Sequence, residues 1–139
     1  MNLTANFTLQ EMTATNTGLP NTPDSGQIGA LIVLCQNLEK IRLVLKKPII
    51  VNSAFRSADV NIAVGGAKNS AHKTGYAADI VVRGMNNKQI CEEIIKSGIK
   101  FDQLIDENKN GSQWIHISFD PAMRGQYLVY SNGQYKVHE

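Results

Sequence analysis

The strongest constraint on the fold of this 139-residue chain is a short polar motif that is followed, much later, by a second histidine. The motif is Ser70-x-His72-x-x-Gly75-x-Ala77-x-Asp79, and the later sequence is Trp114-x-His116. Two imidazoles and one carboxylate are the ligands that hold a catalytic zinc while one coordination position stays open for water. Asp79 begins the apolar run 80–82, typical of a buried strand, whereas His72 lies in a polar loop. A fold that uses these ligands must bring a loop and two β segments to one ion.

Two other kinds of metal site are excluded by the same sequence. The H-E-x-x-H pattern, in which one helix face supplies two ligands, does not occur. A structural zinc normally has four ligands, usually with thiolates, and neither Cys35 nor Cys91 lies near the motif. We interpret the third histidine, His138, as a tail residue and not as a ligand. An open site with three protein ligands is therefore predicted.

Hydrophobic periodicity predicts an α+β fold, with helices packed on one side of a small, mostly antiparallel sheet and the zinc site at the sheet face. Apolar residues recur at helical spacing from the N-cap candidates Asp24 and Ser25 to Leu45. Asn86 and Gln89 resemble a capping box that begins a second long helix, which closes at Gly98. The other predicted elements are strands over 49–55, 77–83, 101–107 and 114–119, a short helix over 58–64 that ends at Gly65-Gly66, and a polar loop over 108–113.

Composition indicates one domain over residues 1–139. The chain is 42% hydrophobic and 19% charged, which suits a globular protein with a single core. Residues 1–23, with Pro20 and Pro23, predict an extended N-terminal arm whose apolar side chains dock on the core. Asn132-Gly133 predicts a C-terminal β-hairpin over 126–138. The net charge of +2 and the dispersed lysines argue against a nucleic-acid partner.

The cysteines and the N-terminus indicate where the chain is made. Cys35 and Cys91 occupy apolar positions of helical patterns, so we interpret them as small buried hydrophobic residues and not as a disulfide framework. The first residues lack a basic segment followed by a long apolar one, and no apolar stretch approaches the roughly 18 residues that cross a bilayer. We expect a monomer that is cytoplasmic as synthesised, has no signal peptide and does not bind membranes.

The motif and several other segments resemble one protein family. The motif with its later Trp-x-His is similar to the zinc D-alanyl-D-alanine carboxypeptidase family, which includes vancomycin-resistance dipeptidases and phage endolysins that cut peptidoglycan peptides. Residues 7–12, 48–57 and 60–66, together with Phe101-Asp-Gln-Leu-Ile105, resemble the small phage and prophage branch. The resemblance implies a Zn²⁺ cofactor, a peptidoglycan peptide as partner, and hydrolysis by metal-activated water.

Several residues near the motif have predicted roles in substrate binding. The resemblance implies that Arg56 binds the substrate or stabilises the oxyanion, because a fixed guanidinium stabilises the negative charge that develops as water adds to the carbonyl. The alternative is a solvated arginine paired with Asp59. Ser70 is predicted to bond a loop group and to contact substrate, and Trp114 either packs beside the second histidine or lines the substrate groove. Ser118 shares the face of that histidine and is a further candidate contact.

The reaction also needs a general base. A carboxylate must take a proton from the metal-bound water and pass it to the leaving amine. Many relatives place an acidic residue three positions before the second histidine, where this chain has Gln113. This departure puts either the position of the base or the activity itself in question.

A replacement base is predicted on the neighbouring strand. If strands 101–107 and 114–119 pair so that Glu107 faces Trp114, then Glu107 is a diagonal neighbour of His116 on the same face. A slip of one residue would place Asp106 on that face instead, because side chains alternate. We predict Glu107 as the base, with Asp106 and Asp102 as the alternatives.

The sequence therefore predicts a zinc metallopeptidase of the bacterial cell wall, either a D-Ala-D-Ala carboxypeptidase or an endolysin-type endopeptidase. Without a signal peptide, such an enzyme would reach the wall through a holin or after lysis. Two alternatives from other classes stay open. One is a non-catalytic cell-wall-binding module, which Gln113 favours, and the other is a virion structural protein that keeps the fold and the metal site.

Overall fold

The computed structural model describes residues 1–131 and 133–137 of an α+β protein. Four helices are present in this part of the chain: α1 (Leu9–Met12), α2 (Ser25–Leu45), α3 (Ala58–Ala63) and α4 (Asn87–Ser97). A 3₁₀ turn covers Ala71–Lys73. The strands are β1 (Asn2–Thr4), β2 (Phe7–Thr8), β3 (Ile50–Ser53), β4 (Ala77–Val81), β5 (Gln103–Lys109), β6 (Ser112–Ser118), β7 (Gln126–Ser131) and β8 (Gln134–Val137).

A six-stranded sheet forms the centre of the fold, with the strand order β3-β4-β6-β5-β7-β8. All neighbouring pairs are antiparallel except β5 and β7. Ile80, Leu104 and Ile115 on one face join the hydrophobic core that the buried sides of α2 and α4 complete. Because side chains alternate along a strand, Asp79 and His116 lie on the other face. The predicted fold, with the long helices on one side and the site at the sheet face, is confirmed.

The two long helices begin at the predicted capping boxes. The Asp24 carboxylate accepts a hydrogen bond from the Gln27 backbone N–H, and the Gln27 side chain accepts one from the Asp24 N–H. Asn86 and Gln89 make the same reciprocal pair at the start of α4. Gly98 closes α4 in the left-handed conformation, with φ of 78°. Local sequence signals were sufficient to place both helices because each cap is satisfied within one turn.

The β5–β6 hairpin differs from the predicted polar loop over 108–113. Both strands continue to a two-residue turn at Asn110-Gly111, where φ is 52° and 82°. Positive φ at both central residues is the turn that Asn-Gly favours between paired strands, so the loop prediction is wrong and the turn signal was in the sequence. The register pairs Glu107 with Trp114, as expected for the first of the two alignments.

The N-terminal and C-terminal segments each contain a pair of antiparallel strands. β1 and β2 pair with each other, and Phe7 and Met12 from this region are almost fully buried. The N-terminal segment therefore contains local structure in addition to the apolar anchors expected from sequence. β7 and β8 form a hairpin, while Asn132 of the predicted turn and His138 lie outside the described residues.

Two simple properties of the described residues bear on earlier predictions. Cys35 and Cys91 are both free and buried, and burial raises the pKa of each thiol to about 12. They act as small core residues, as predicted.

None of the helices in the described part of the chain has the length and apolar character needed to cross a membrane.

Gly75 links the site loop to α2, and we expect its substitution to destabilise the protein. Its φ is 94°, and a Cβ there would lie 2.8 Å from the Gln27 carbonyl oxygen. Gly75→Ala should lower the free energy of unfolding by about 2–4 kcal/mol, since backbone strain and overpacking each cost about 1–3 kcal/mol. Urea denaturation measures the change. Gly98→Ala is the matched control, because φ is 78° there but nothing lies within 4 Å of the added methyl. Equal losses in the two variants would show that the contact with α2 has no energetic weight.

Candidate metal centre

Three side chains that could hold a metal ion meet on the free face of the sheet. The ligand atoms of His72, Asp79 and His116 all lie within 4.8 Å of one another. Antiparallel pairing of β4 and β6 places Asp79 directly beside His116. His72 comes from the 3₁₀ turn, whose N-cap Ser70 accepts a hydrogen bond from the His72 backbone N–H at 3.2 Å. A loop and two strands thus converge at one point, with all three side chains buried.

The imidazole of His72 is oriented by the main chain. Its Nδ1 lies 2.7 Å from the carbonyl oxygen of Ala54. A carbonyl oxygen can only accept, so Nδ1 carries the proton and donates it. The lone pair of Nε2 is thereby left for the site, where this atom lies 3.2 Å from Oδ1 of Asp79. A ligating histidine is commonly fixed in this way by a carbonyl behind it.

The Asp79 carboxylate is shared between the two imidazoles. Nδ1 of His116 lies 3.2 Å from the same Oδ1, and the two rings meet edge to face with centroids 5.1 Å apart. Burial opposes ionisation of Asp79, but the neighbouring imidazoles of His72 and His116 outweigh it and hold its pKa well below the usual range. The carboxylate is therefore ionised and suited to bind a cation.

The donor set and its surroundings fit Zn²⁺. Two imidazole nitrogens and one carboxylate oxygen are a common set for a zinc ion that keeps an open coordination position. All three residues line a cavity of about 480 Å³, so an ion held by them would be accessible from this cavity. No cysteine contributes to the cluster, which distinguishes it from a closed structural site. The residues present can thus hold the ion and leave one side of it accessible.

Arg56 faces the ligand cluster from the segment between β3 and α3. Its Nη2 lies 3.3 Å from Oδ2 of Asp79, its Nη1 donates to Oδ1 of Asn61 at 3.2 Å, and its Nε donates to Oγ of Ser53 at 3.3 Å. Among the described residues, its acidic partner is Asp79 and not Asp59, which was the alternative raised from sequence. Arg56 is thus held with its guanidinium at the cavity wall.

Asn61 and Gly66 position this arginine, and sequence reasoning missed the first of them. Asn61 is 3% exposed and also donates to the Ala67 carbonyl. A Cβ at Gly66 would clash with Oδ1 of Asn61 and would lie 2.7 Å from Nη1 of Arg56. Gly65 has the left-handed φ of 71° that was expected for this turn. Gly66 is needed for a different reason, because the side chains of Asn61 and Arg56 approach it closely. A buried asparagine shortly after the arginine is the signal that was overlooked.

Glu107 lines the same cavity as the three ligand candidates. Its Oε2 accepts a hydrogen bond from Nε1–H of Trp114 at 2.8 Å, which fixes the carboxylate. Burial raises the pKa of Glu107, and the negative charge of Asp79 adds to the increase. A carboxylate with a raised pKa and a fixed orientation has the properties of a general base.

The other two candidate bases have different partners. Asp106 lies on the opposite face of β5, where it accepts from Nδ2 of Asn87 at 2.7 Å. Asp102 accepts from the backbone N–H, Nε and Nη2 of Arg124, and these hydrogen bonds hold its pKa below the usual range. Neither side chain lines the cavity. Of the three carboxylates proposed from sequence, Glu107 alone is placed beside the cluster.

Gln113 lies away from the site. It pairs with Asn108 near the turn and is exposed. Because it lies three positions before His116 on the same strand, it stands on the opposite face of the sheet. A titratable residue at this position would therefore not reach the cluster. The neutral side chain does not weaken the enzymatic interpretation.

The remaining candidates for substrate contact divide into two groups. Ser70 and Trp114 line the cavity. Ser118 is fully buried, and its Oγ accepts a hydrogen bond from the Gln103 backbone N–H at 3.1 Å. Its burial does not favour a direct contact with substrate, which stays a prediction.

Asp120 also lines the cavity and was not singled out from sequence. Its buried Oδ1 has no hydrogen-bond partner among the described residues, and burial together with the charge of Asp102 raises its pKa.

The fold and the site together define a metal-dependent hydrolase, with a buried His-Asp-His cluster, an open cavity and a carboxylate beside it. Comparison with known proteins gives the family. The family model for peptidase M15 matches residues 5–118, and the chain belongs to this family. The zinc D-Ala-D-Ala carboxypeptidase of Streptomyces albus G is 38% identical over 90 residues, which is 62% of this chain and 34% of that protein. The chain thus spans about a third of the length of this relative.

Proposed function

We propose that the protein is a zinc peptidase that hydrolyses peptide bonds in the stem peptides of peptidoglycan. The observation that carries the proposal is the opening of the His72, Asp79 and His116 cluster onto a cavity that Glu107 and Arg56 also line. The similarity to a D-Ala-D-Ala carboxypeptidase supports a cell-wall peptide as substrate. The bond cut is either the terminal D-Ala-D-Ala bond or an internal bond of the stem peptide.

Zinc held by the three ligands would supply a Lewis acid that lowers the pKa of a water ligand and polarises the scissile carbonyl. The protein side chains would do the rest of the work. Glu107 takes a proton from the attacking water and passes it to the leaving amine, and its raised pKa brings it closer to neutral pH, where both transfers are efficient. The hydrogen bond from Trp114 to Oε2 keeps the carboxylate in place and leaves Oε1 for the proton.

Arg56 is proposed to bind the substrate oxygen that becomes negatively charged. Its guanidinium is held by Ser53, Asn61 and Asp79 at the cavity wall, so little reorganisation is needed when the charge develops. In a carboxypeptidase the same fork can instead hold the terminal carboxylate of the peptide with two parallel hydrogen bonds.

The biological setting is part of the proposal. Resemblance of residues 7–12, 48–57, 60–66 and 101–105 to the phage and prophage branch supports an endolysin-type role, in which the enzyme reaches the wall through a holin or after lysis. A single chain is proposed to act as a monomer.

Zinc content and peptide cleavage, measured on the same preparation, test this function. We expect one zinc per chain by mass spectrometry and release of new amino groups from purified peptidoglycan. Treatment with a chelator should abolish release, and added zinc should restore it. Free D-alanine from a synthetic stem peptide would indicate a carboxypeptidase, whereas longer fragments would indicate an endopeptidase. Bound zinc with no cleavage between about pH 6 and 9 would refute catalysis and leave the non-catalytic binding module.

A further inference from the structure

The β7–β8 hairpin continues the site face beyond the family match, which ends at residue 118. The strand registers align four side chains directly across β6, β5, β7 and β8: Trp114, Glu107, Tyr130 and Tyr135. All four line the same cavity as the metal ligands. Since Trp114 lies two residues before His116 on β6, this row runs beside the ligands on the same face. The cavity therefore has a largely aromatic wall, and its two tyrosines lie outside the matched residues 5–118.

The two tyrosines at the far end of this row form a pair. Their ring centroids are 4.6 Å apart, with planes tilted by 52°. Tyr135 is 57% exposed, although its ring contacts Tyr130 and lines the cavity. Burial and the charge of Glu107 raise the pKa of Tyr135, so its hydroxyl stays neutral. The pair thus offers apolar ring surface with a neutral hydrogen-bonding edge.

A pyranose ring has the matching chemistry, because it presents a face of C–H groups and an edge of hydroxyls. An exposed tyrosine ring also loses little conformational entropy when it is covered, which makes it a common contact residue in binding sites.

The distance from the metal ligands to the pair suits a sugar at the end of a peptide. Across the sheet, Tyr130 on β7 lies two strand spacings from β6 and Tyr135 on β8 lies three, or about 10 and 14 Å at about 4.8 Å each. An extended peptide covers about 3.3–3.6 Å per residue, so about three to four residues bridge the gap. In peptidoglycan, the stem peptide is attached to a sugar of the glycan strand at the end away from its D-alanines. A peptide with its C-terminal bonds at the metal would bring that sugar close to the tyrosines.

We propose that Tyr130 and Tyr135 form a subsite for the amino sugar that carries the stem peptide. This proposal rests on the proposed function, since it assumes that a peptidoglycan peptide occupies the cavity. It makes the hairpin a specificity element: the enzyme would distinguish a peptide on its glycan from the same peptide alone.

Kinetics with paired substrates test the subsite. The zinc-loaded protein is assayed with a stem peptide linked to its wall disaccharide and with the same peptide lacking sugar. We expect Tyr135→Ala to raise KM for the sugar-linked peptide about tenfold and to leave KM for the free peptide unchanged. Tyr135→Phe should keep most of the discrimination because the ring is retained. Val137→Ala is the matched control, since this residue lies on the same strand, is exposed and does not line the cavity.

Two results would overturn the subsite. An equal rise in KM for both substrates would mean that the tyrosines contact peptide and not sugar. No change for either substrate would mean that the pair has no role in binding.

Binding of the peptide-free wall disaccharide, followed by NMR, separates failure of the subsite from failure of the proposed function. If the wild-type protein cleaves neither substrate but binds the disaccharide in a way that Tyr135→Ala abolishes, the peptidase proposal fails and the subsite stands. If it cleaves both substrates without discrimination and shows no binding that depends on Tyr135, the subsite fails and the peptidase proposal stands.

Discussion

Replacing His116 with alanine is expected to remove bound zinc and peptidase activity together. The substitution leaves one imidazole and the Asp79 carboxylate, and it also removes the partner that Nδ1 of His116 provides to that carboxylate. Loss of a residue that merely supports a ligand typically costs 10–100-fold in metal affinity, so loss of a ligand itself should cost at least about 100-fold. Zinc content after dialysis against a weak chelator and amino-group release from peptidoglycan are measured on the same sample.

His138→Ala is the control for this variant, since the sequence predicts that this third histidine is not a ligand. It should retain zinc and activity. Circular dichroism of His116→Ala shows whether the sheet is intact, because His116 is buried and its removal also creates space. A folded His116→Ala protein that keeps its full zinc content would disprove the ligand assignment.

Glu107→Gln should separate the two properties, with zinc retained and turnover lost. The amide keeps the size of the side chain and an oxygen that can accept from Trp114, but it cannot take up a proton. General-base catalysis typically contributes 10²–10⁴-fold, so we expect kcat to fall by about that factor. KM should change much less, because the substitution removes a proton acceptor and not a binding surface.

Asp120→Asn is the matched comparison, because Asp120 also lines the cavity and also has a raised pKa. We expect it to retain most of the wild-type kcat. If Asp120→Asn loses turnover and Glu107→Gln stays active, then the base has been assigned to the wrong carboxylate. Loss in both variants would indicate that the two side chains share the proton transfer.

Much of the scaffold could be predicted because its signals are local. The capping boxes at Asp24 and Asn86 are satisfied within one helical turn. Alternation along two adjoining strands left two candidate registers, and the structure has the one that pairs Glu107 with Trp114. The Asn110-Gly111 turn was misjudged, since the polar residues around it were read as a loop although they continue the two strands.

The remaining parts of the site depend on contacts between distant segments, for which a single sequence has no short-range signal. The carbonyl of Ala54 is one example, since no side-chain pattern marks a backbone acceptor. The packing of Asn61 and Arg56 against Gly66 is a second example, because these three residues meet only after the turn at Gly65-Gly66 has formed. Asp120 reaches the cavity only because the chain turns after β6.

The bond from His72 to the Ala54 carbonyl also has a consequence for how this site tolerates mutation. Every amino acid has a main-chain carbonyl, so no substitution at position 54 can delete the acceptor that selects the His72 tautomer. A carboxylate in the same place could be lost by a single codon change. Substitutions at position 54 are therefore limited by the space available to a buried side chain. The tautomer of His72 is maintained as long as the backbone keeps its path at this position.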